Sequence, residues 1–406
     1  MVALSHTTDL RQHATAEGTR GPSIARVSVY QTLADAEPAW RLFEDSGLST
    51  PYQRFEWTLD FAETIGRSEG ARILAVCGQD ERGTPAVLLP LALNRSRGLR
   101  IATMVGGKHA NYHMPLFMPS ATSMQTGAVK RFLRLTAQAV GGVDAFAFTN
   151  QPVEWQRTPN PFARLGGQPS PSNGYKLELN FDGAKIIERI LSGESRKKLR
   201  KKEKRLSEIG PLTYARATSS TEVAAVLEAF FAQKAMRFEG TGIDNPFADP
   251  AAVSFVRRAC LDGVDSGSPP IELYSLRAGD KIIATFAGAA DRRRFCGMFN
   301  SYDMSPEVSR WSPGDLLLIE LIRMQCERGL ATFDLGVGEA RYKEMFCDSI
   351  EHLADSFVPT TLKGAAYAGT AATSRAAKRW VKRTPWAWRL ARLARSRNAA
   401  LGSRQD

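Results

Sequence analysis

No apolar run in the 406 residues is long enough to cross a bilayer. The longest, such as LLPLAL at 88–93, are only a few residues, whereas a spanning helix needs about 20. Histidine and cysteine are scarce, five of each. The histidines show no ligand spacing beyond the loose pair His109 and His113, for which a structural role is the favoured reading, so no metal site is expected. Cys77, Cys260, Cys296, Cys326 and Cys347 are odd in number, scattered and mostly in apolar surroundings. That excludes a disulfide framework and points to reduced thiols in a cytoplasmic protein. There is no Ser/His/Asp nucleophile arrangement and no phosphate-binding P-loop. The first 23 residues are polar and lack the apolar core of a signal peptide; they are expected to be a disordered tail.

What remains is the composition of a globular protein, 43% hydrophobic and 24% charged, with the length of two or three domains. The formal charge of +12 is unevenly placed. Between Ser356 and Asp406 stand eleven Lys or Arg and one acid, so the tail holds +10 of it. The folded body need not bind nucleic acid.

Hydrophobic periodicity predicts a strand over 24–30, helical patterns around 40–43 and 55–65, and a three-stranded meander over 73–79, 86–93 and 99–105. A helix near 123–140 and a strand at 143–149 follow. Residues 151–173 hold five prolines and read as a linker. Beyond it come a strand at 175–179, helical patterns over 184–209, a strand at 212–217 and helices at 221–238 and 251–261. A second meander (271–277, 281–290, 294–302), a helix from Pro313 and a strand from Ala331 complete the series. Strand, strand, strand, helix, strand therefore occurs twice, from near 73 and from near 271. The expected class is mixed-sheet α/β in two like units, 24–165 and 166–362, with a basic amphipathic tail over 363–406.

Residues 312–346 are the most function-like stretch. Ser312, Pro313 and Asp315 read as N-cap, N1 and N3 of a largely apolar helix. After the following strand, Gly336-Val337-Gly338 opens a turn before Glu339, Arg341, Tyr342 and Lys343. Meander, helix and strand would put the helix start and the strand end at one edge of the sheet, where a ligand crevice could form.

SPG opening that helix, DLG on the next strand and YK beyond it resemble the CelD/BcsL-type acetyltransferases of the GNAT superfamily. SRKKLRKKEKRL at 195–206, FFAQKAMRFEGTG at 230–242, the SLRAGDKIIATFAG hairpin and NSYD at 300–303 match as well. The first half matches less sharply, through FEWTLDF, AVLLPLAL and the NYHMPLF loop; the whole likeness spans roughly residues 25–362. It implies tandem GNAT-like acyltransferase domains, shared with FemAB-like transferases, acyl-CoA (acetyl-CoA) as co-substrate, and a role in cellulose or exopolysaccharide biosynthesis. One departure stands out. GNAT domains usually carry Arg/Gln-x-x-Gly-x-Gly/Ala for the pyrophosphate, whereas here Arg310 is followed by Trp311, Ser312, Pro313, Gly314 and Asp315. Pro313 removes a donor and Asp315 puts an anion where a phosphate would sit.

For acyl transfer, Glu339 could act as base, Tyr342 as acid, and Lys343 could offset developing negative charge; a surface turn with solvated charges is the plainer reading. Ser312, Pro313, Gly314, Asp315 and Leu316 are the candidate donor cradle, although helix capping explains the same residues. Lys234 and Arg237 on one helix, and Asn111 and Tyr112 in a Gly-flanked loop, are candidate substrate contacts. Exposed helix charge and turn roles compete with that assignment. The run Arg196–Arg205 has eight basic residues and reads as a solvated helix face or a phosphate contact. The expected acceptor is small or polysaccharide-linked. Two alternatives stand beside this reading: a FemAB-like transferase using aminoacyl-tRNA, and a non-catalytic GNAT-fold binding protein. Trp380, Trp386 and Trp388 among the basic residues of the tail suggest peripheral contact with an anionic membrane at its cytoplasmic face, with Pro385 dividing two short helices.

Overall fold

The computed structural model describes residues 21–179, 182–239, 244–384, 386 and 387. In the first half, β1 (Arg26–Tyr30), α1 (Leu33–Ser46), α2 (Phe55–Phe61), β2 (Arg72–Gln79), β3 (Pro85–Ser96) and β4 (Leu99–Met104) lead through the short β5 (Leu116–Phe117) to α3 (Thr126–Ala139) and β6 (Ala145–Pro152). Strands β2, β3 and β4 form an antiparallel meander, and β6 joins β4 in parallel after the α3 crossover. The near-continuous apolar run of β3 fits a strand covered on both faces. Val87, Leu89 and Leu91 enter one core cluster and Leu88 another, as the period of two requires.

The proline-rich stretch is not the linker its composition predicts. It forms a small hairpin, β7 (Glu154–Trp155) with β8 (Thr158–Pro159), a helical turn over Pro161–Arg164, and β9 (Gln168–Pro169). Trp155, Asn160 and Phe162 are fully buried. Asn160 caps the turn by accepting from the Phe162 N–H and donates to the Pro152 carbonyl. Prolines suit this path because each removes a backbone donor that burial would otherwise leave unpaired.

The second half contains β10 (Gly174–Glu178), α4 (Gly183–Ile190), α5 (Gly193–Leu206), β11 (Leu212–Arg216), α6 (Ser220–Phe238), α7 (Pro250–Leu261), β12 (Glu272–Ala278), β13 (Lys281–Ala290) and β14 (Arg294–Tyr302). Then come α8 (Pro306–Ser309), α9 (Pro313–Glu327), β15 (Thr332–Val337), α10 (Arg341–Phe346), β16 (Ser349–Glu351), β17 (Leu353–Pro359) and α11 (Leu362–Arg383). Strands β12, β13 and β14 repeat the antiparallel meander, and β15 joins β14 in parallel after α9. The two units thus share strand order and direction, as the repeated element pattern predicts.

The sheets exchange strands. β17, late in the chain, pairs with β6 of the first sheet, while β10, which directly follows the first unit, pairs with β15 of the second. The edge strands β9 and β16 then pair with β17 and β10. Residues 168–169 and 353–359 therefore lie in the first sheet, although boundaries at 165 and 362 would assign them to the second unit. The tail helix α11 packs on β17. Gly364 comes so close that a Cβ there would overlap the Asp144 carbonyl, and Arg375 pairs with the buried Asp355. The second short helix expected after Pro385 lies largely outside the described residues, as do residues 1–20 of the expected disordered tail.

Candidate functional site

Pairing of β14 with β15 covers only Arg294–Cys296 against Thr332–Asp334; beyond it the two parallel strands part. Strands that part leave backbone donors and acceptors facing one another, which an extended ligand with amide groups can use. Because the strands are parallel, both ends lie at one edge of the sheet. Helix α9 begins where β14 ends, and the Gly336–Lys343 turn and α10 begin where β15 ends.

Pro313 is the first residue of α9 and is buried. Ser312 does not cap through its side chain. It is left-handed, φ 52°, and its carbonyl accepts from the Asp315 N–H at 3.1 Å. Its hydroxyl instead receives the Lys202 ammonium of α5 at 2.8 Å. Left-handed backbone rotates the side chain away from the first-turn amides, so the expected capping by Ser312 is replaced by a turn. A Cβ at Gly314 would meet only the Tyr302 ring, at 3.8 Å, so packing leaves room at this position. Asp315 is half-buried; burial raises its pKa, with Lys202 opposing. Leu316 is buried and lines a cleft of about 230 Å³ shared with α4 and α5, so its side chain belongs to the core side and not to the cradle.

Lys343 is buried and donates to the Gly336 and Val337 carbonyls, both at 3.1 Å. It fastens the end of β15, and burial lowers its pKa. Glu339 accepts from Ser172 at 3.0 Å and pairs with Lys382 of α11 at 3.1 Å. Burial alone would raise this carboxyl, but its hydrogen bonds and the Lys382 charge outweigh that and hold it below the ordinary range. The geometry makes Glu339 an ion-pair partner for the tail. Tyr342 is half-buried; burial and Cys347 raise its pKa while Arg237 opposes. It keeps its proton and can donate one.

Arg237 places its guanidinium 6.0 Å from the centre of the Tyr302 ring. Tyr302 therefore stands between Arg237 and the start of α9. Helix α6 is opened at its far end by a capping box, Ser219 with Glu222, and is anchored near its C-terminal end by Gln233. That amide donates to the Ile282 carbonyl of β13 and accepts from Ser301 of β14. Arg237 thus comes to the crevice, while Lys234, one turn earlier on the same helix face, is buried among Phe230, Phe238 and Phe247.

Asn111 and Tyr112 come from the first unit but do not form an open substrate surface. The Asn111 amide donates to the Gly297 carbonyl at 2.9 Å and accepts from the Val337 N–H at 3.3 Å, bridging β14 and β15 where they part. Gly336, φ 76°, must be glycine, since a Cβ would lie 2.7 Å from that amide. Tyr112 is fully buried and donates to Asp334. Asp334 and Glu351 share Arg294, at 3.2 and 2.9 Å, and Lys176 also pairs with Glu351. Two cations and two carboxylates balance, with the Arg294 guanidinium lying 3.8 Å from the centre of the Trp155 ring. Burial pushes Asp334 up, against Arg294, the Gly336 N–H and Tyr112. Sequence reasoning missed this cluster. Its signal was an acid inside the apolar run ATFDLGV.

A cleft of about 640 Å³ lies elsewhere, beside Arg292 and Arg293 at the opposite end of β14. Its many charges are mostly paired with one another, as Arg41 is with Glu44 and Glu56 and Arg328 with Glu272. Among the described residues no group of His, Cys, Asp and Glu could hold a metal ion, and no helix is long and apolar enough to cross a membrane.

Residues 193–344 match the acetyltransferase (GNAT) domain family. That span runs from α5 to α10 and includes the parted strands and the start of α9. Among solved structures, FemX aligns with a TM-score of 0.54 at 9% identity, over 81% of this chain and 94% of FemX. A conserved protein of unknown function from Bacteroides thetaiotaomicron VPI-5482 aligns with a TM-score of 0.50 at 12% identity, over 82% of this chain and 99% of that one. At such identities the likeness is one of fold. Both cover most of the chain, whose two like mixed-sheet α/β units include a GNAT domain over residues 193–344. No curated protein matches it.

Proposed function

We propose that the chain is an acyltransferase that moves an acyl group, acetyl in the simplest case, from acyl-CoA to a polar acceptor. One observation carries this reading: β14 and β15 part next to a helix start where Gly314 leaves open space. Asn111 fills the base of the gap, so an extended thioester carrier would lie against the edge of β14 beyond Gly297, and Lys202, drawn to Ser312, brings positive charge to a loop that lacks the usual pyrophosphate signature. Tyr342, protonated at neutral pH, would supply the proton to the leaving thiolate. The acceptor is of the polar, polysaccharide-linked kind that the sequence resemblance implies. Calorimetric titration of acetyl-CoA into the wild type and Gly314→Val tests the reading. Wild-type binding that the valine weakens supports it; absence of binding by the wild type overturns it.

A second reading, transfer from aminoacyl-tRNA, is favoured by α5. Arg196, Lys198 and Arg205 pair with Glu188, Glu194 and Glu208. Lys197, Arg200, Lys201 and Lys204 have no acidic partner among the described residues and recur at i, i+3, i+4 and i+7, an exposed cationic stripe. Salt-dependent retention of aminoacyl-tRNA by a protein that binds no acyl-CoA would establish this reading in place of the first.

The tail supports a peripheral contact with an anionic membrane. Trp380 and Trp386 pack edge to face at 5.5 Å and are 54% and 59% exposed, with exposed Arg383 nearby in the chain.

A further inference from the structure

Lys234 is buried, 9% exposed. Its ammonium lies 5.8, 5.7 and 6.0 Å from the ring centres of Phe230, Phe247 and Phe238, and among the described residues no carboxylate reaches it. The other buried cations are provided for: Arg294 has two carboxylates and Lys343 two carbonyls. A charge withdrawn from water without a counter-charge is unfavourable unless a ligand supplies one. Arg237, one turn on, adds a second cation that also lacks an acidic partner among the described residues and turns towards Tyr302 at the crevice. Ring faces attract the ammonium only weakly compared with a carboxylate or phosphate.

Resting on the acyltransferase reading, we propose that the acceptor carries an anionic group, a carboxylate or a phosphate, seated between Lys234 and Arg237 beside Tyr302. A neutral sugar would leave the buried Lys234 ammonium uncompensated, while the exposed Arg237 stays solvated. An anionic one joins them, and so orients the acceptor's nucleophile towards the parted strands. Burial and Arg237 both hold the Lys234 ammonium at a pKa of about 8, which an arriving anion would raise.

The test titrates inorganic phosphate and acetate separately into the full chain at pH 7, for the wild type, Lys234→Met and Arg237→Gln. The wild type is expected to bind one anion, and each variant to lose at least tenfold in affinity. Tighter phosphate assigns a phosphate-bearing acceptor, and tighter acetate a carboxylate. Methionine keeps the apolar stem, so Lys234→Met should melt no lower than the wild type. Failure of both anions to bind, or binding that neither variant weakens, overturns the proposal. So does a Lys234→Met that melts several degrees lower with anion affinity unchanged, since Lys234 would then be structural. Acetyl-CoA affinity, read in the same samples, separates the two claims: it should survive Lys234→Met. An anion seat in a protein that binds no acetyl-CoA would keep the seat and remove the acyl-CoA reading.

Discussion

The Tyr112 hydroxyl lies 2.8 and 2.9 Å from the two carboxylate oxygens of Asp334, joining a loop of the first unit to a strand of the second. Both residues are fully buried, so the bond is made out of water. Removing the hydroxyl leaves Asp334 with Arg294 and the Gly336 N–H but one donor short. Tyr112→Phe is expected to lower unfolding free energy by about 1–3 kcal/mol, the cost of an unsatisfied buried acceptor. Denaturant titration with an unchanged m-value checks it; an unaltered midpoint would show that the link contributes nothing.

At the crevice, two substitutions should part company. Gly314→Val is expected to leave the melting temperature within about 2 °C, since only Tyr302 lies within reach, while weakening acetyl-CoA binding. Lys343→Ala unfastens two carbonyls at the end of β15 and is expected to cost about 2–3 kcal/mol in stability. If alanine at 343 lowers turnover with no loss of stability, Lys343 acts on the reaction directly.

Lys234 also makes a prediction about pH. Burial and Arg237 hold its pKa at about 8, below the ordinary 10.5. Arg237 is the charged group that acts on it among the described residues; β14 contributes Phe299, and the segment before α7 contributes Phe247, to the aromatic surround. Between those two pH values the unfolded chain binds more protons than the folded one, so stability should rise with pH. The wild type should therefore gain on Lys234→Met from pH 8 to 10.5, by roughly 3 kcal/mol at most. Parallel thermal melts across that range measure the difference, and parallel curves would mean the lysine titrates normally.

The tail prediction uses the full chain, because α11 carries Arg375, the partner of buried Asp355, and truncation would damage the first sheet. Wild type should sediment with anionic liposomes and not with neutral ones, and Trp380→Ala with Trp386→Ala should reduce that binding severalfold. Equal binding to both liposome types, unaffected by the substitutions, rules the contact out.

The amino-acid order by itself determined the elements and their repetition. Period-two runs such as Val87–Leu91 and the apolar helix from Pro313 carry local signals that need no partner to be read. It also brought Gly314, Tyr342 and Lys343 under suspicion. It could not say what those groups touch. Lys343 meets backbone carbonyls, Glu339 meets a lysine of the tail, and Tyr112 meets an aspartate of the other unit. Each of these depends on residues far apart in sequence being brought together. The linker that is core, and the reciprocal placing of β10 and β17, have the same origin: an edge strand is completed by whichever segment packs beside it. Periodicity shows which face a residue occupies. The neighbour across that face, and so its charge state and its role, is decided only when both sheets are assembled.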